Sequence, residues 1–385
     1  MATGLEHCRL PAPQPLGYTT PSGGAALADC GLRTAYESDA AFRGTVPSSP
    51  AARLGTVCHR VLELAGAGAL PSTSSRHWRE SFEEAWSTAV EEQEEERRRS
   101  PLEAHWPPPE RWPYYAVRKV TARRLCERIS DSTRRSPQGG RAPGATELQE
   151  QRQQAFGGRL RGRADVIRRS PETVIEDYKT GPVFDEASTD VNPHYRTQML
   201  LYAVLEHETM GVWPKRATLV PLQGEPVVIE VDPADATAAA KAALEALEDY
   251  NRKVADGVQA IELAKPSPTA CRFCSYAIEC PAFWSSADEN WLDEGIVAVA
   301  GPIQAREESR LSTFNVRIAS AAGSLAPGDY LLYQLDAERF GAILALPEHS
   351  EVAALWLVGD PDALHLRATL RTRIAVGRSA EAPAT

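Results

Sequence analysis

Several common sequence features are missing from this chain of 385 residues. No apolar run approaches the ~18 residues that suggest a membrane-spanning helix. The N-terminus has no positively charged start followed by an apolar core, so we expect no secretory signal and a cytoplasmic location. No Gly-x4-Gly-Lys-Ser/Thr pattern occurs, which excludes a P-loop motor in the chain. No internal repeat is visible.

Cysteine is present, but its spacing does not fit a disulfide framework. The chain has seven cysteines, and a cytoplasmic location argues against disulfides. Cys271, Cys274 and Cys280 form a tight cluster, whereas Cys30 stands alone in a helix predicted over residues 26–36. Four thiolates suit either a tetrahedral Zn²⁺ or a [4Fe–4S] cluster. Structural zinc sites usually contain two short cysteine pairs, whereas this chain has one cluster of three cysteines and a single cysteine far away in the sequence. Either metal would join distant segments.

The charge of the chain is unevenly distributed. The net charge is -10, with 43% hydrophobic and 24% charged residues, as in an ordinary soluble protein. Residues 115–170 nevertheless carry 14 Arg and Lys against 5 Asp and Glu. Local patches govern contact with phosphate, so this region could line a nucleic-acid path or form a solvated basic face. The basic residues in question are Arg118, Lys119, Arg123, Arg124, Arg159, Arg161 and Arg163.

The length allows two domains. We expect an irregular N-terminus over 1–25, an α/β domain over 26–285, a β-rich accessory domain over 293–376 and a tail over 377–385. Short alternating runs in 293–376, including one at 341–346, predict a small all-β barrel or sandwich, with an OB-like fold as one candidate. This domain would either bind single strands through Trp356, Tyr330 or Tyr333 or dock another protein.

Two predicted strands carry a pattern of charges that points to catalysis. The strands cover residues 158–168 and 173–179, and alternation places Asp177 and Lys179 on one face, which Asp165 can also reach. Two carboxylates hold Mg²⁺ or Mn²⁺, which lowers the pKa of a bound water. The lysine can orient that water or neutralise charge on a phosphate. The alternative is an ordinary surface hairpin, but the flanking Gly-x-x-Asp and Thr-Gly make the pattern rarer and favour catalysis.

These motifs resemble the RecB-like branch of the PD-(D/E)XK nuclease superfamily. The resemblance implies a restriction-endonuclease-like fold, with a mixed sheet flanked by helices. It also implies that His59, Glu147, Asp165 and Asp177 surround the catalytic metal. The motifs occur in the order typical of the family: Gly55-Thr56-Val57-Cys58-His59, Gly162-Arg163-Ala164-Asp165, Asp177-Tyr178-Lys179-Thr180-Gly181 and Gln198-x3-Tyr202.

Some of these positions have a plainer interpretation. A histidine on an apolar helix is commonly a core residue, and only its place in the motif favours a metal role for His59. Gln198 and Tyr202 lie one helical turn apart, as packed residues often do. As active-site residues, Gln198 would hydrogen-bond Lys179 or a phosphate, and Tyr202 would donate to a phosphate oxygen. The family's metal site begins with an acidic residue on a strand, and Glu150 is the other candidate for that position beside Glu147.

The cysteine set extends the resemblance to about residues 26–284. Cys30, Cys271, Cys274 and Cys280 are similar to the ligands of the iron–sulfur nucleases of the same branch, which include the AddB nuclease domain and CRISPR-associated single-strand exonucleases. This implies a structural [4Fe–4S] cluster, with Zn²⁺ as the alternative. The sequence departs from the family pattern in that no proline follows Cys30.

The sequence therefore predicts a Mg²⁺- or Mn²⁺-dependent deoxyribonuclease. The resemblance favours an exonuclease acting on single-stranded DNA or DNA ends in repair, recombination or phage defence, with a helicase as a possible partner. The alternative is a non-catalytic DNA-binding subunit of a helicase–nuclease complex, against which the complete acidic motifs argue. A zinc-bound RNA-binding protein is a further alternative, which leaves the acidic hairpin unexplained.

Overall fold

The computed structural model describes residues 9–42, 44–71, 73, 75–100, 102–103, 106–135, 146–149, 151–169, 172–184, 190–308, 312–360 and 364–376. The chain divides into two compact units. The first unit comprises Pro15–Ala28 and Pro50–Arg252, and the second comprises Met1–Gln14, Asp29–Ser49 and Lys253–Thr385. Across the described residues, no helix has both the length and the apolar character needed to cross a membrane.

Ten α-helices and fifteen strands are found in the described part of the chain. The helices are α1 (Pro21–Asp29), α2 (Gly31–Ser38), α3 (Pro50–Gly66), α4 (Trp78–Arg99), α5 (Tyr115–Arg135), α6 (Pro193–Met210), α7 (Pro233–Ala255), α8 (Pro268–Cys271), α9 (Pro281–Ser286) and α10 (Ala337–Phe340). The strands are β1 (Thr146–Gln149), β2 (Arg152–Ala155), β3 (Leu160–Arg163), β4 (Val166–Arg169), β5 (Thr173–Lys179), β6 (Arg216–Pro221), β7 (Val227–Glu230), β8 (Ala298–Glu308), β9 (Thr313–Ser320), β10 (Ala322–Gly323), β11 (Gly328–Asp336), β12 (Glu351–Leu355), β13 (Val358–Asp360), β14 (His365–Arg367) and β15 (Arg373–Val376).

The first unit is built on a five-stranded mixed sheet in the order β1-β4-β5-β6-β7. β4 and β5 form an antiparallel hairpin, and β6 and β7 form another. β5 and β6 are parallel, and α6 supplies the crossover that a parallel pair requires. β2 and β3 pair separately. The predicted mixed α/β architecture is confirmed.

Helices cover both faces of this sheet. Successive strand residues point to opposite faces. Accordingly, Val166 and Tyr178 join a hydrophobic core with α3, α4 and α5, while Ile167 and Ile175 join a second core with α6 and α7. The aromatic stripe of α4, which includes Phe82 and Trp86, is fully buried in the first of these cores. Burial on both faces makes β4 and β5 a rigid base for the side chains at their ends.

Two motif glycines permit close packing in the first unit. A Cβ at Gly162 would lie 2.7 Å from Leu205 Cδ1 and 2.9 Å from Pro21 Cδ, so β3 lies directly against α6 and α1. A Cβ at Gly55 would lie 3.0 Å from Thr180 Oγ1, so α3 approaches the end of β5 closely. Larger side chains would force these elements apart.

Two predicted elements are wrong in detail. The helix predicted over 26–36 is two helices, because Cys30 is extended, with φ -158°, and separates α1 from α2. The strand predicted over 158–168 is also two strands: β3 pairs with β2, β4 pairs with β1 and β5, and Asp165 lies between them. Residues 136–145, residues 170 and 171, Glu150 and Cys8 lie outside the described residues.

The second unit contains the predicted β-rich region. Seven of its strands follow the order β13-β14-β11-β9-β8-β12-β15, and β10 pairs with β8. The strand predicted at 341–346 is wrong, because Gly341–Ala345 forms a 3-10 helix.

Tyr330 and Trp356 are buried, and their polar atoms donate to backbone carbonyls, so neither ring is free to stack on a base. An exposed ring of this unit is instead Phe273, which lies between the guanidinium groups of Arg272 and Arg371.

The cysteine-bearing segment shares a core with the strands of this unit. Cys271 and Cys274 belong to the same hydrophobic cluster as Ala298, Ala300 and Leu355 of β8 and β12. The sequence predicts a domain boundary between residues 285 and 293, whereas residues on both sides of that position belong to one unit here. Apolar packing therefore holds the cysteines in place in addition to any metal they bind.

Candidate active site

The end of β5 carries the central acid and the lysine. Asp177 Oδ2 lies 2.5 Å from Lys179 Nζ, so the two side chains share one face, as strand alternation predicts. Lys179 Nζ also donates to Gln198 Oε1 at 2.8 Å and lies 4.4 Å from the centroid of the Tyr195 ring. The ammonium group is therefore held from three sides.

Asp165 faces the same site from the junction between β3 and β4. Its Oδ2 accepts a hydrogen bond from the backbone N–H of Tyr178 at 2.6 Å. Burial, and then the negative charge of Asp177, raise the pKa of Asp165 to about 7, although the Tyr178 N–H and Lys179 oppose the shift. The two acids therefore repel each other, and a divalent cation between them would relieve that repulsion.

α3 brings a histidine and a further acid to this site. His59 Nδ1 lies 3.9 Å from Asp165 Oδ2. Glu63 is one turn further along α3, and its charge also raises the pKa of Asp165. Sequence reasoning missed Glu63, although its i+4 spacing from His59 placed the two on one helix face.

α6 contributes the glutamine and tyrosine of the last motif. Gln198 holds Lys179, as predicted, and its Nε2 lies 3.5 Å from Tyr202 Oη. Tyr202 Oη donates to the backbone carbonyl of Arg163 at 3.0 Å. Burial raises the pKa of Tyr202, so this hydroxyl keeps its proton. In this structure the hydroxyl holds the end of β3, and the predicted bond to a phosphate oxygen is not available to that proton.

The residues of this site fit a hard divalent cation. Asp177 is only 5% exposed, and its Oδ2 pairs with the ammonium group of Lys179 at 2.5 Å. Carboxylate oxygens are the preferred ligands of Mg²⁺ and Mn²⁺, and imidazole is a competent further donor. Glu147 lies on β1 with its backbone opposite Arg168, and its side chain lies outside the described residues.

No three His, Cys, Asp or Glu side chains in the described ranges are arranged so that they could hold a metal ion. The search does not include the side chain of Glu147. The site therefore matches the cation in donor type and charge: it offers one buried carboxylate, one partly buried carboxylate and a nearby imidazole.

Three of the seven residues of the predicted basic path contact other side chains of the protein. Lys119 pairs with Glu83 at 2.5 Å, and Arg159 pairs with Glu248. The Arg161 guanidinium lies over the ring of Tyr18, 4.5 Å from its centroid. Arg118 is different, because it lines a groove beside the end of β5.

The four predicted cysteine ligands line one cavity in the second unit. Cys30, Cys271, Cys274 and Cys280 are all free thiols around it, although three of them are separated from the first by over 200 residues of chain. Burial raises the pKa of Cys271 and Cys280 to about 12 and that of Cys274 to about 11. Bound metal would be needed to hold such thiols as thiolates, and four thiols suit an iron–sulfur cluster or zinc in donor type.

Comparison with known proteins identifies the family. The model of the PD-(D/E)XK nuclease superfamily matches residues 18–281, which is more than half of the chain. A solved structure titled "Crystal structure of SSO0001" is 18% identical, covers 44% of this chain and 79% of that chain, and has a TM-score of 0.24, which is too low to bear on the fold. The comparison with curated proteins found no match. The chain therefore belongs to the PD-(D/E)XK nuclease superfamily, whose members are generally nucleases that use divalent metals.

Proposed function

We propose that this protein is a deoxyribonuclease of the RecB-like branch that depends on Mg²⁺ or Mn²⁺. The observation that carries the proposal is the pair of acids, the buried Asp177 and the partly buried Asp165, beside a lysine whose ammonium group contacts Asp177 and donates to Gln198. Repulsion between the two acids raises the pKa of Asp165, and a bound divalent cation would relieve that repulsion. Family membership over residues 18–281 supports the same chemistry.

Asp165 and Asp177 would hold the cation, with His59 and Glu147 as further donors. When bound, the cation lowers the pKa of a water molecule and offsets negative charge on the phosphate. The protein supplies the orientation: the Tyr178 N–H fixes Asp165, and Gln198 fixes Lys179. The positive charge of Lys179 stabilises the charge that develops on a phosphate oxygen, and its fixed position avoids reorganisation during the reaction.

We further propose single-stranded or free-ended DNA as the substrate, cleaved from an end. The resemblance to end-processing nucleases of the branch supports this substrate. The assay contains roughly 5 mM Mn²⁺, enough to saturate a weakly binding metal site. Under these conditions we expect rapid loss of linear single strands and slow cleavage of circular single strands. The experiment compares cleavage rates on labelled linear, circular and blunt duplex substrates of one sequence. Equal rates on circular and linear strands would contradict an exonuclease.

We also propose that Cys30, Cys271, Cys274 and Cys280 hold a structural [4Fe–4S] cluster. Their arrangement around one cavity supports this. Protein purified without oxygen should contain about four irons and four acid-labile sulfides per chain. Cys30→Ser should lose iron and thermal stability, whereas Cys58→Ser, at a buried thiol outside the cavity, should keep its iron. One zinc and no iron in the wild type would identify the zinc alternative instead.

A helicase partner and a role in repair, recombination or phage defence are proposals that rest on the resemblance. We also propose the cytoplasmic location that the sequence leads us to expect. The non-catalytic alternative gains no support from the site, because both acids, the lysine and its glutamine partner are present together.

A further inference from the structure

A groove of about 390 Å³ lies beside the end of β5. This is within the ~300–1,000 Å³ of typical ligand sites. The start of α5, the segment that follows β5 and the end of β6 form its walls. Its lining includes Tyr114, Val117, Arg118, Thr180, Phe184 and Leu222. All of these residues belong to the first unit.

The groove exposes aromatic and apolar side chains that the fold does not need to expose. Tyr114 is 74% exposed and Phe184 and Val117 are each 46% exposed. Tyr114 also has φ +65°, a backbone conformation that a bulky residue rarely adopts. Strained and exposed aromatic residues cluster at ligand sites, and clustered exposed apolar residues indicate binding surfaces.

The groove begins next to Lys179 along the chain. Thr180 and Gly181 line it, and they follow Lys179 directly, at ~3.6 Å or less per residue. Arg118 is placed in its wall by a hydrogen bond from Nη1 to the carbonyl of Ala51, at 3.1 Å. A guanidinium has five N–H donors, so the remaining ones can bind a phosphate.

We propose that this groove binds the single-stranded nucleic acid next to the scissile phosphate, with a base stacked on Tyr114 or Phe184 and a backbone phosphate at Arg118. The inference rests on the proposed nuclease function. A single strand is favoured because its bases are free to stack on aromatic side chains, whereas the bases of a duplex are stacked on each other. The groove thereby selects unpaired substrate and holds it against the acids of β5.

Binding measurements with and without bases test this directly. In the Asp177→Asn background, fluorescence anisotropy at one salt concentration would compare a thymidine oligonucleotide with an abasic strand of equal length. Tyr114→Gly removes the ring and suits a positive φ, so the fold is retained. We expect Tyr114→Gly to weaken binding of the thymidine strand by about 5- to 150-fold and to leave the abasic strand unchanged. Tyr114→Phe should bind as the parent does.

Further variants separate stacking from charge. Phe184→Ala should repeat the base-dependent loss, whereas Arg118→Gln should weaken binding of both strands and lower the salt dependence. Val212→Ala is the matched control, because Val212 is 62% exposed and follows α6, whose end lies about 18 Å along the helix axis from Gln198. Thermal unfolding of each variant would verify the fold.

Two results would overturn the inference. One is that neither Tyr114→Gly nor Phe184→Ala weakens binding of the thymidine strand. The groove would then bind another kind of partner. The other is an equal loss on abasic strands or on blunt duplex. Either result, with wild-type cleavage intact and Asp177→Asn inactive, would leave the proposed nuclease function standing. A wild type that neither binds nor cleaves any nucleic acid would instead remove the proposed function.

Discussion

Asp177→Asn is expected to reduce the rate of phosphodiester cleavage by at least about 10³-fold, because loss of a metal ligand should exceed the ~10–100-fold effect of second-shell changes. Asparagine keeps the size of the side chain and removes its charge. The variant removes one of the two carboxylates of the site, whereas Asp165 and Lys179 are unchanged. Single-turnover cleavage of an end-labelled strand measures the effect.

The fold should survive this change. Removing the charge of Asp177 relieves its repulsion of Asp165, and asparagine keeps an amide oxygen beside Lys179, which also retains its hydrogen bond to Gln198. Asp235→Asn is the matched control, since Asp235 is an exposed acid of α7 that pairs with Arg196. It should cleave at the wild-type rate. If Asp177→Asn also cleaved at that rate in a preparation free of other nucleases, the site assignment would be wrong.

Glu206→Ala is expected to lower the free energy of unfolding by about 3–5 kcal/mol. Glu206 is fully buried on α6 and binds both Nε and Nη2 of Arg169, at 2.6 and 2.8 Å, while Gln153 donates to it at 2.6 Å. Alanine would leave the largely buried Arg169 charge without its carboxylate partner, and the neutral Gln151 would remain beside it. Chemical denaturation measures the loss.

An exposed ion pair provides the comparison for Glu206. Glu248→Ala breaks a surface pair with Arg159 and should cost less than about 1 kcal/mol. Combining Glu206→Leu with Arg169→Met should recover much of the stability, because neither charge then remains buried. A cost for Glu206→Ala no greater than that for Glu248→Ala would mean that water reaches Arg169.

Local periodicity explains why part of the site could be predicted. Strand alternation fixes the relation between Asp177 and Lys179, and helical spacing fixes that between Gln198 and Tyr202. The break at Asp165 could not be predicted in this way, because β3 and β4 read as one strand and separate only through their different pairing partners. Pairing is a long-range property.

Burial and tertiary contact account for what the sequence concealed. Tyr330 and Trp356 carry aromatic rings that could stack on bases if they were exposed, yet packing in the second unit buries both. The groove with Tyr114 and Phe184 was equally hidden, because its residues lie about 70 positions apart in the chain. The cysteines were easier, since the resemblance to iron–sulfur nucleases implies that Cys30 joins the other three, and all four line one cavity.

The central claim is that Asp165 and Asp177 hold a cation that is essential for cleavage. The most direct measurement follows an end-labelled single strand with wild-type protein stripped of metal by a chelator, and then with increasing Mn²⁺. We predict no cleavage before Mn²⁺ is added and saturable cleavage afterwards, with no such response in Asp177→Asn. Cleavage that persists at the same rate in the stripped protein, or its absence at every Mn²⁺ concentration, would contradict the account.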